Sequence, residues 1–97
     1  MPHTPSAKKR LKQSQKRRLR NRIAKKIIKT YSKRALAAAH AGKFDQAEAD
    51  FRFAVAKIDK AGVRRILHPN TADRRKSRLT REYEAAVARA KAAGAGG

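Results

Sequence analysis

The chain has 97 residues, of which 27 are Lys or Arg and 7 are Asp or Glu, for a net charge of +20, with 40% hydrophobic and only 5% aromatic residues. It contains no cysteine, which excludes a disulfide framework, a CxxC redox pair and any thiolate metal site, and no stretch approaches the roughly eighteen consecutive apolar residues that a membrane span needs. What remains is one small domain with a modest core, whose function lies on its surface.

So much like charge in a small volume opposes folding, and a polyanion relieves it, because each phosphate met by Lys or Arg releases condensed counterions. The charge is uneven: residues 1–34 hold 14 basic side chains and no acid, and the remainder holds 13 basic and all 7 acidic ones. The basic start, Met1 to Arg10, leads into more charge rather than an apolar signal-peptide core, so the chain is expected to be cytoplasmic.

Pro2 and Pro5 precede the first predicted element, which spans Ser6 to Ala41 without Pro or Gly and is rich in good helix formers, with Ser6 as its N-cap. Its apolar positions Leu11, Leu19, Ile23, Ile27, Tyr31 and Ala35 recur in steps of four or eight, widened toward the carboxyl end by Ala24, Ile28 and Leu36. Gly42 closes this helix. The second opens with Asp45 and Glu48 at capping-box spacing, with Phe44 as a hydrophobic staple before them. Ala47, Phe51, Ala54, Val55, Ile58 and Ala61 follow three-and-four spacing up to Gly62, expected to take the left-handed helix-end conformation; Phe53 stands off that stripe. The third begins after Pro69, with Asn70 as cap, Asp73 at the third helical position, and Ala72, Leu79, Tyr83, Ala86, Val87 and Ala90 on one side, before an Ala and Gly tail.

No sustained apolar and polar alternation signals a strand. Short connections make consecutive helices antiparallel neighbours, so the expected fold is all-α: an antiparallel three-helix bundle with a long overhanging basic first helix. The chain reads as a single domain over 1–97, with a basic arm at about 6–34 and short helices at about 45–61 and 70–92. At 1.5 Å per residue the first helix reaches roughly 54 Å and the second about 25 Å, so the first must project past its partners.

In Lys16, Arg17, Arg18 and Arg20 the charge points several ways, because successive helical residues turn by about 100°; such a rod suits a cleft between phosphate backbones. The arm has no aromatic residue before Tyr31, which favours contact with backbone and folded shape over base stacking. A second basic block, HPNTADRRKSRL from His68 to Leu79, couples a helix start to Arg74, Arg75, Lys76 and Arg78. His3, His40 and His68 show no metal-ligand spacing. The carboxylates Asp45, Glu48, Asp50, Asp59, Asp73, Glu82 and Glu84 read as caps or ion-pair partners, and no catalytic constellation stands out. No enzyme activity, cofactor, metal, small-molecule substrate or membrane partner is expected, and no clear seam argues for an obligate homo-oligomer. A small basic DNA-binding protein of the nucleoid type is the alternative that the same counterion chemistry allows. A membrane-active helix would need charge confined to one face and large apolar residues on the other, and the arm has neither.

SAKKRLKQSQKRRLRNR (Ser6 to Arg22), the Gly42 to Asp45 junction and HPNTADRRKSRL, in this order and spacing, resemble the bacterial small-subunit ribosomal protein twenty family over nearly the whole chain. The resemblance implies a three-helix bundle with an extended first helix. It implies direct binding to small-subunit ribosomal RNA near the lower body of the subunit, where the protein helps RNA helices pack during assembly beside other small-subunit components. Carried over, RNA contact falls on Lys8, Lys9, Arg10, Lys16, Arg17, Arg18, Arg20, Arg22, Lys25 and Lys26, and at the second block on Asn70, Thr71, Arg74, Arg75, Lys76, Ser77 and Arg78. Lys12 and Lys29 extend the basic face, Asn21 is placed to reach a phosphate or ribose hydroxyl, and His68 opens the second block. The chain departs from the family pattern at Thr4 and Pro5, at Pro69 and at Asp73, where an acid facing RNA would repel phosphate.

Overall fold

The structure, a computed structural model, describes residues 5–96; Pro2, His3 and Thr4 lie outside the described residues. Three helices make up the described chain: α1 (Pro5–His40), α2 (Phe44–Val63) and α3 (Pro69–Gly96). The all-α three-helix expectation is met, and the differences lie at the helix ends.

Gly42 ends α1 as its sequence position suggests. Its φ is +80°, its N–H donates to the Ala39 carbonyl at 3.1 Å and the Lys43 N–H to that of Ala38 at 2.9 Å, the paired bonds of a Schellman motif. Lys43, the last residue of that motif, is also the N-cap of α2 and offers no side-chain capping bond. With so short a link the helix begins at Phe44, one residue earlier than expected. Asp45 is therefore inside the first turn, where the helix dipole favours it, and the expected capping box and staple do not form. Glu48 instead pairs with Arg52 at 2.6 Å.

At the other end of α2 the left-handed residue is Arg65, φ +58°, and not Gly62. The Arg65 N–H donates to the Gly62 carbonyl at 3.2 Å and that of Ile66 to Ala61 at 2.9 Å, a second Schellman motif shifted three residues along the chain. Gly62 serves close packing: a Cβ there would lie 3.0 Å from the Cβ of Ala72 on α3. The chain then turns inward, burying Leu67 to 6% exposure.

His68, not Asn70, caps α3. Its carbonyl accepts from the Ala72 N–H at 2.9 Å and its ring Nδ1 accepts from the Asn70 N–H at 3.2 Å. Pro69 explains the shift, since proline is preorganised for the first helical position and has no N–H to leave unsatisfied. Asp73 thereby becomes the fifth residue of α3 rather than the third, and the helix runs on to Gly96, past the expected end near residue 92.

The helices alternate in direction around a core of Ile28, Ala54, Ile58, Ala61, Leu67, Ala72 and Leu79. A second cluster of Ala38, Ala39, Ala47 and Ala86 lies toward the α1–α2 turn, with Leu36 touching both. Ile58 is the only large side chain fully enclosed among the described residues. The small alanines bring the backbones close, so the core gains density where it lacks volume. The apolar stripe of α1 enters this core only from its middle onward: Leu11, Leu19 and Ile23 are 48%, 54% and 48% exposed. The molecule measures 69 × 22 × 17 Å with a radius of gyration of 18.4 Å, against about 13 Å for a compact domain of this length. The amino-terminal part of α1 projects at one end, and at the other α3 passes the start of α2, where the Lys91 ammonium lies 5.5 Å from the Phe44 ring centre.

Candidate nucleic-acid interface

Three packed helices enclose three surface grooves, and charge is not shared equally among them. The groove between α1 and α3 has a volume of about 720 Å³ and is lined by Lys25, Lys26, Lys29 and Lys33 from α1 and by Arg75 and Arg78 from α3, with Glu82 its one acid. Ile28, Leu36, Ile58 and Leu79 form its floor. The groove between α1 and α2 is lined by Arg20, Lys57, Lys60 and Arg64 and by no acid. Along α2 and α3 the signs mix: Arg52 and Lys76 lie beside Asp59, and Arg65 beside Asp59 and Asp73. Uncompensated positive charge thus flanks α1 on both sides.

The projecting part of α1 continues this surface. Lys8, Lys9, Arg10, Lys12, Lys16, Arg17, Arg18, Arg20 and Arg22 are all exposed, and Asn21 is half-buried. A helix without partners along one stretch presents charge around its whole circumference, and this stretch carries no acid to neutralise it.

The two basic blocks, remote in sequence, meet in the α1–α3 groove through Lys25, Lys26, Lys29, Arg75 and Arg78. Other expected positions fall elsewhere. Lys76 turns to α2 and pairs with Asp59 at 3.3 Å. Arg78 also pairs with Glu82 one turn on, at 3.1 Å; both partners are solvated, so the pair can open at little cost. His68 and Asn70 are joined to each other at the start of α3, Thr71 is half-buried, and Arg74 and Ser77 are exposed. Asp73 lies at the α2–α3 end with Pro69 and Ala72 and does not line the α1–α3 groove.

Sequence reasoning missed Lys33, Lys57, Lys60 and Arg64. The last three had a signal, since steps of three and four place Lys57 and Lys60 on one face of α2 and lead on to Arg64, its C-cap. Lys33 follows Lys25, Lys26 and Lys29 by the same helical spacing.

Among the described residues no three His, Cys, Asp or Glu are grouped to hold a metal, and no helix is long and apolar enough to cross a membrane. Fold and surface define a class: a small, basic, all-helical structural module whose free charge is gathered around one long helix. The family model described as Ribosomal protein S20 matches residues 2–84, and the chain belongs to that family, which is structural and not enzymatic. The chain is similar to proteins named small ribosomal subunit protein bS20. The one from Alkalilimnicola ehrlichii is 44% identical over 81% of this chain and 90% of the relative. Those from Chlorobium luteolum and Pseudomonas aeruginosa are 47% and 42% identical over 86% and 88% of this chain and 92% and 93% of the relatives.

Proposed function

We propose that the chain is a structural constituent of the small ribosomal subunit, bound in the cytoplasm to small-subunit ribosomal RNA through backbone phosphates and helping RNA helices pack during assembly. The observation that carries this is the placement of charge: both flanks of α1 and its projecting part are basic, while the acids gather along α2 and α3. A rod that is positive on opposite sides lowers the repulsion between two phosphate backbones drawn up against it. Lys8 through Arg22 would lie between RNA segments. Lys25, Lys26, Lys29 and Arg75 would hold one backbone along the α1–α3 groove, where cations from two helices line an elongated surface. The named relatives support the subunit assignment.

Titration of the full chain with small-subunit ribosomal RNA and with duplex DNA, each across a salt series, tests the proposal. Preference for the ribosomal RNA that persists at high salt is expected from shape recognition added to counterion release. Equal affinities that collapse together would make the charge generic and favour a nucleoid-type DNA-binding protein.

A further inference from the structure

The α1–α2 groove differs in chemistry from the α1–α3 groove. At about 250 Å³ it is smaller than the cavities of roughly 300–1,000 Å³ that enclose small ligands. Its floor is apolar, with Ile23, Ala24 and Ile27 on one side and Ile66 on the other, and Ile23 is 48% exposed. Beside it stand two aromatic rings from different helices, Tyr31 and Phe53, with centroids 4.3 Å apart and planes tilted by 43°. Phe53 is 40% exposed. Lys57, which lines the groove, holds its ammonium 5.2 Å from the Phe53 ring centre.

Tyr31 packs against the core, whereas Phe53 belongs to neither core cluster. Phe53 lies off the buried stripe of α2 and packs on Tyr31 at the rim, so folding alone gives little reason for an aromatic side chain there. An exposed ring among cations, on a strip edged by Arg20, Lys60 and Arg64 with no acid, matches a nucleic-acid strand whose bases are unpaired. The ring and apolar floor take base faces, and the cations take phosphates. Lys57 would exchange the ring for a phosphate as the base arrives. An apolar protein segment would leave these cations without partners, and a regular duplex would leave the ring unused.

We propose that the α1–α2 groove is a second RNA-binding surface, specific for unpaired nucleotides, in which Phe53 stacks on a base while Arg20, Lys57, Lys60 and Arg64 follow the backbone. It rests on the reading of the chain as an RNA-binding protein and adds to it a division of labour: phosphate backbone on one flank of α1, unpaired bases on the other.

The test uses the full chain and three probes: a short oligouridylate, an abasic oligomer of the same length and an RNA duplex. Phe53→Leu keeps an apolar side chain against Tyr31 and removes the aromatic face; Phe53→Trp restores one. We expect Phe53→Leu to weaken oligouridylate binding about ten-fold, within the range measured for loss of one stacked base, with duplex affinity unchanged and Phe53→Trp binding as tightly as the parent. The abasic oligomer should bind more weakly than oligouridylate and be indifferent to both changes. Equal binding of oligouridylate by the parent and Phe53→Leu, or of abasic and base-bearing oligomers by the parent, would overturn the proposal and leave duplex binding standing. Loss of duplex binding with Phe53-dependent oligouridylate binding retained would overturn the backbone reading and leave this one. A dimer in sedimentation that Phe53→Leu abolishes would assign the groove to a second copy of the chain and also overturn it.

Discussion

Arg34 and Asp50 form a pair that ties α1 to α2 across the edge of the core. The Arg34 Nε lies 3.8 Å from the Asp50 Oδ2, and the guanidinium stands 4.9 Å from the Tyr31 ring centre. Asp50 is the one buried charged residue among the described residues, at 8% exposure, and its Oδ2 accepts no hydrogen bond there. A long ion pair is thus its main compensation. Removing the cation should cost more than removing both groups, because an uncompensated buried carboxylate is the expensive state. We expect Arg34→Ala to lower unfolding free energy by about 1–3 kcal/mol and addition of Asp50→Ala to restore most of it. Urea unfolding followed by circular dichroism checks this; an Arg34→Ala variant as stable as the parent would contradict it.

Gly62 and Arg65, three residues apart at the carboxyl end of α2, give opposite expectations from what glycine usually implies. Gly62→Ala should gain about 1 kcal/mol from helix propensity alone, yet its Cβ would meet that of Ala72 at 3.0 Å, and a backbone-borne methyl cannot swing away. We expect a net loss of about 1–3 kcal/mol. Arg65→Gly should stabilise by about 1 kcal/mol, since φ +58° is costly for a residue with a Cβ. Thermal melts of the two variants should move in opposite directions.

Phe51 and Tyr83 stack with centroids 4.2 Å apart and planes within 5°. Both are half-buried, so Phe51→Ala should cost about 2–3 kcal/mol, below the range for a fully enclosed ring. Burial holds the Tyr83 phenol above its usual pKa, the Glu48 carboxylate adds to this and the Arg52 guanidinium opposes it. Where the unfolded phenol ionises and the folded one does not, the folded state holds more protons. This contribution is therefore complete below about pH 10 and is lost as pH rises through the folded value. Tyr83→Phe should show a shallower fall in stability across that alkaline window, measured by urea unfolding at successive pH values; identical slopes would contradict the assignment.

The projecting arm should be separable from the fold. Lys16, Arg17 and Arg18 are exposed, and we expect their joint change to Ala to flatten the salt dependence of RNA binding by up to about three phosphate units while leaving the melting temperature nearly unchanged. Collapse of the bundle would contradict this.

Helices and their number are legible here because periodicity and the Pro and Gly positions agree, and Gly42 is assigned correctly because a glycine between two strong helices has one economical use. Gly62 is misread because alanine-rich helices give no sign of which small residue meets another across the bundle; that depends on Ala72, ten residues away on α3. Nothing local marks Arg65 as left-handed. The His68 cap was recoverable, since Pro69 fits the first helical position, but Asn70 is the stronger cap by residue type. The sequence shows two basic blocks, whereas which members share a groove depends on helix rotation: Arg75 joins Lys25 and Lys29 while Lys76 turns to Asp59.

The central claim is that location, and not total charge, makes the flanks of α1 the RNA-binding face. It is tested most directly by two triple variants that lose the same charge: Lys25, Lys29 and Arg75 to Gln in the α1–α3 groove, and Arg52, Arg65 and Arg81 to Gln on α2, the α2–α3 link and α3. Each would be titrated with small-subunit ribosomal RNA across a salt series. We expect the groove variant to lose affinity and about three units of salt slope, with the second close to the parent. Equal losses in the two would mean that net charge alone holds the RNA, and would contradict the account.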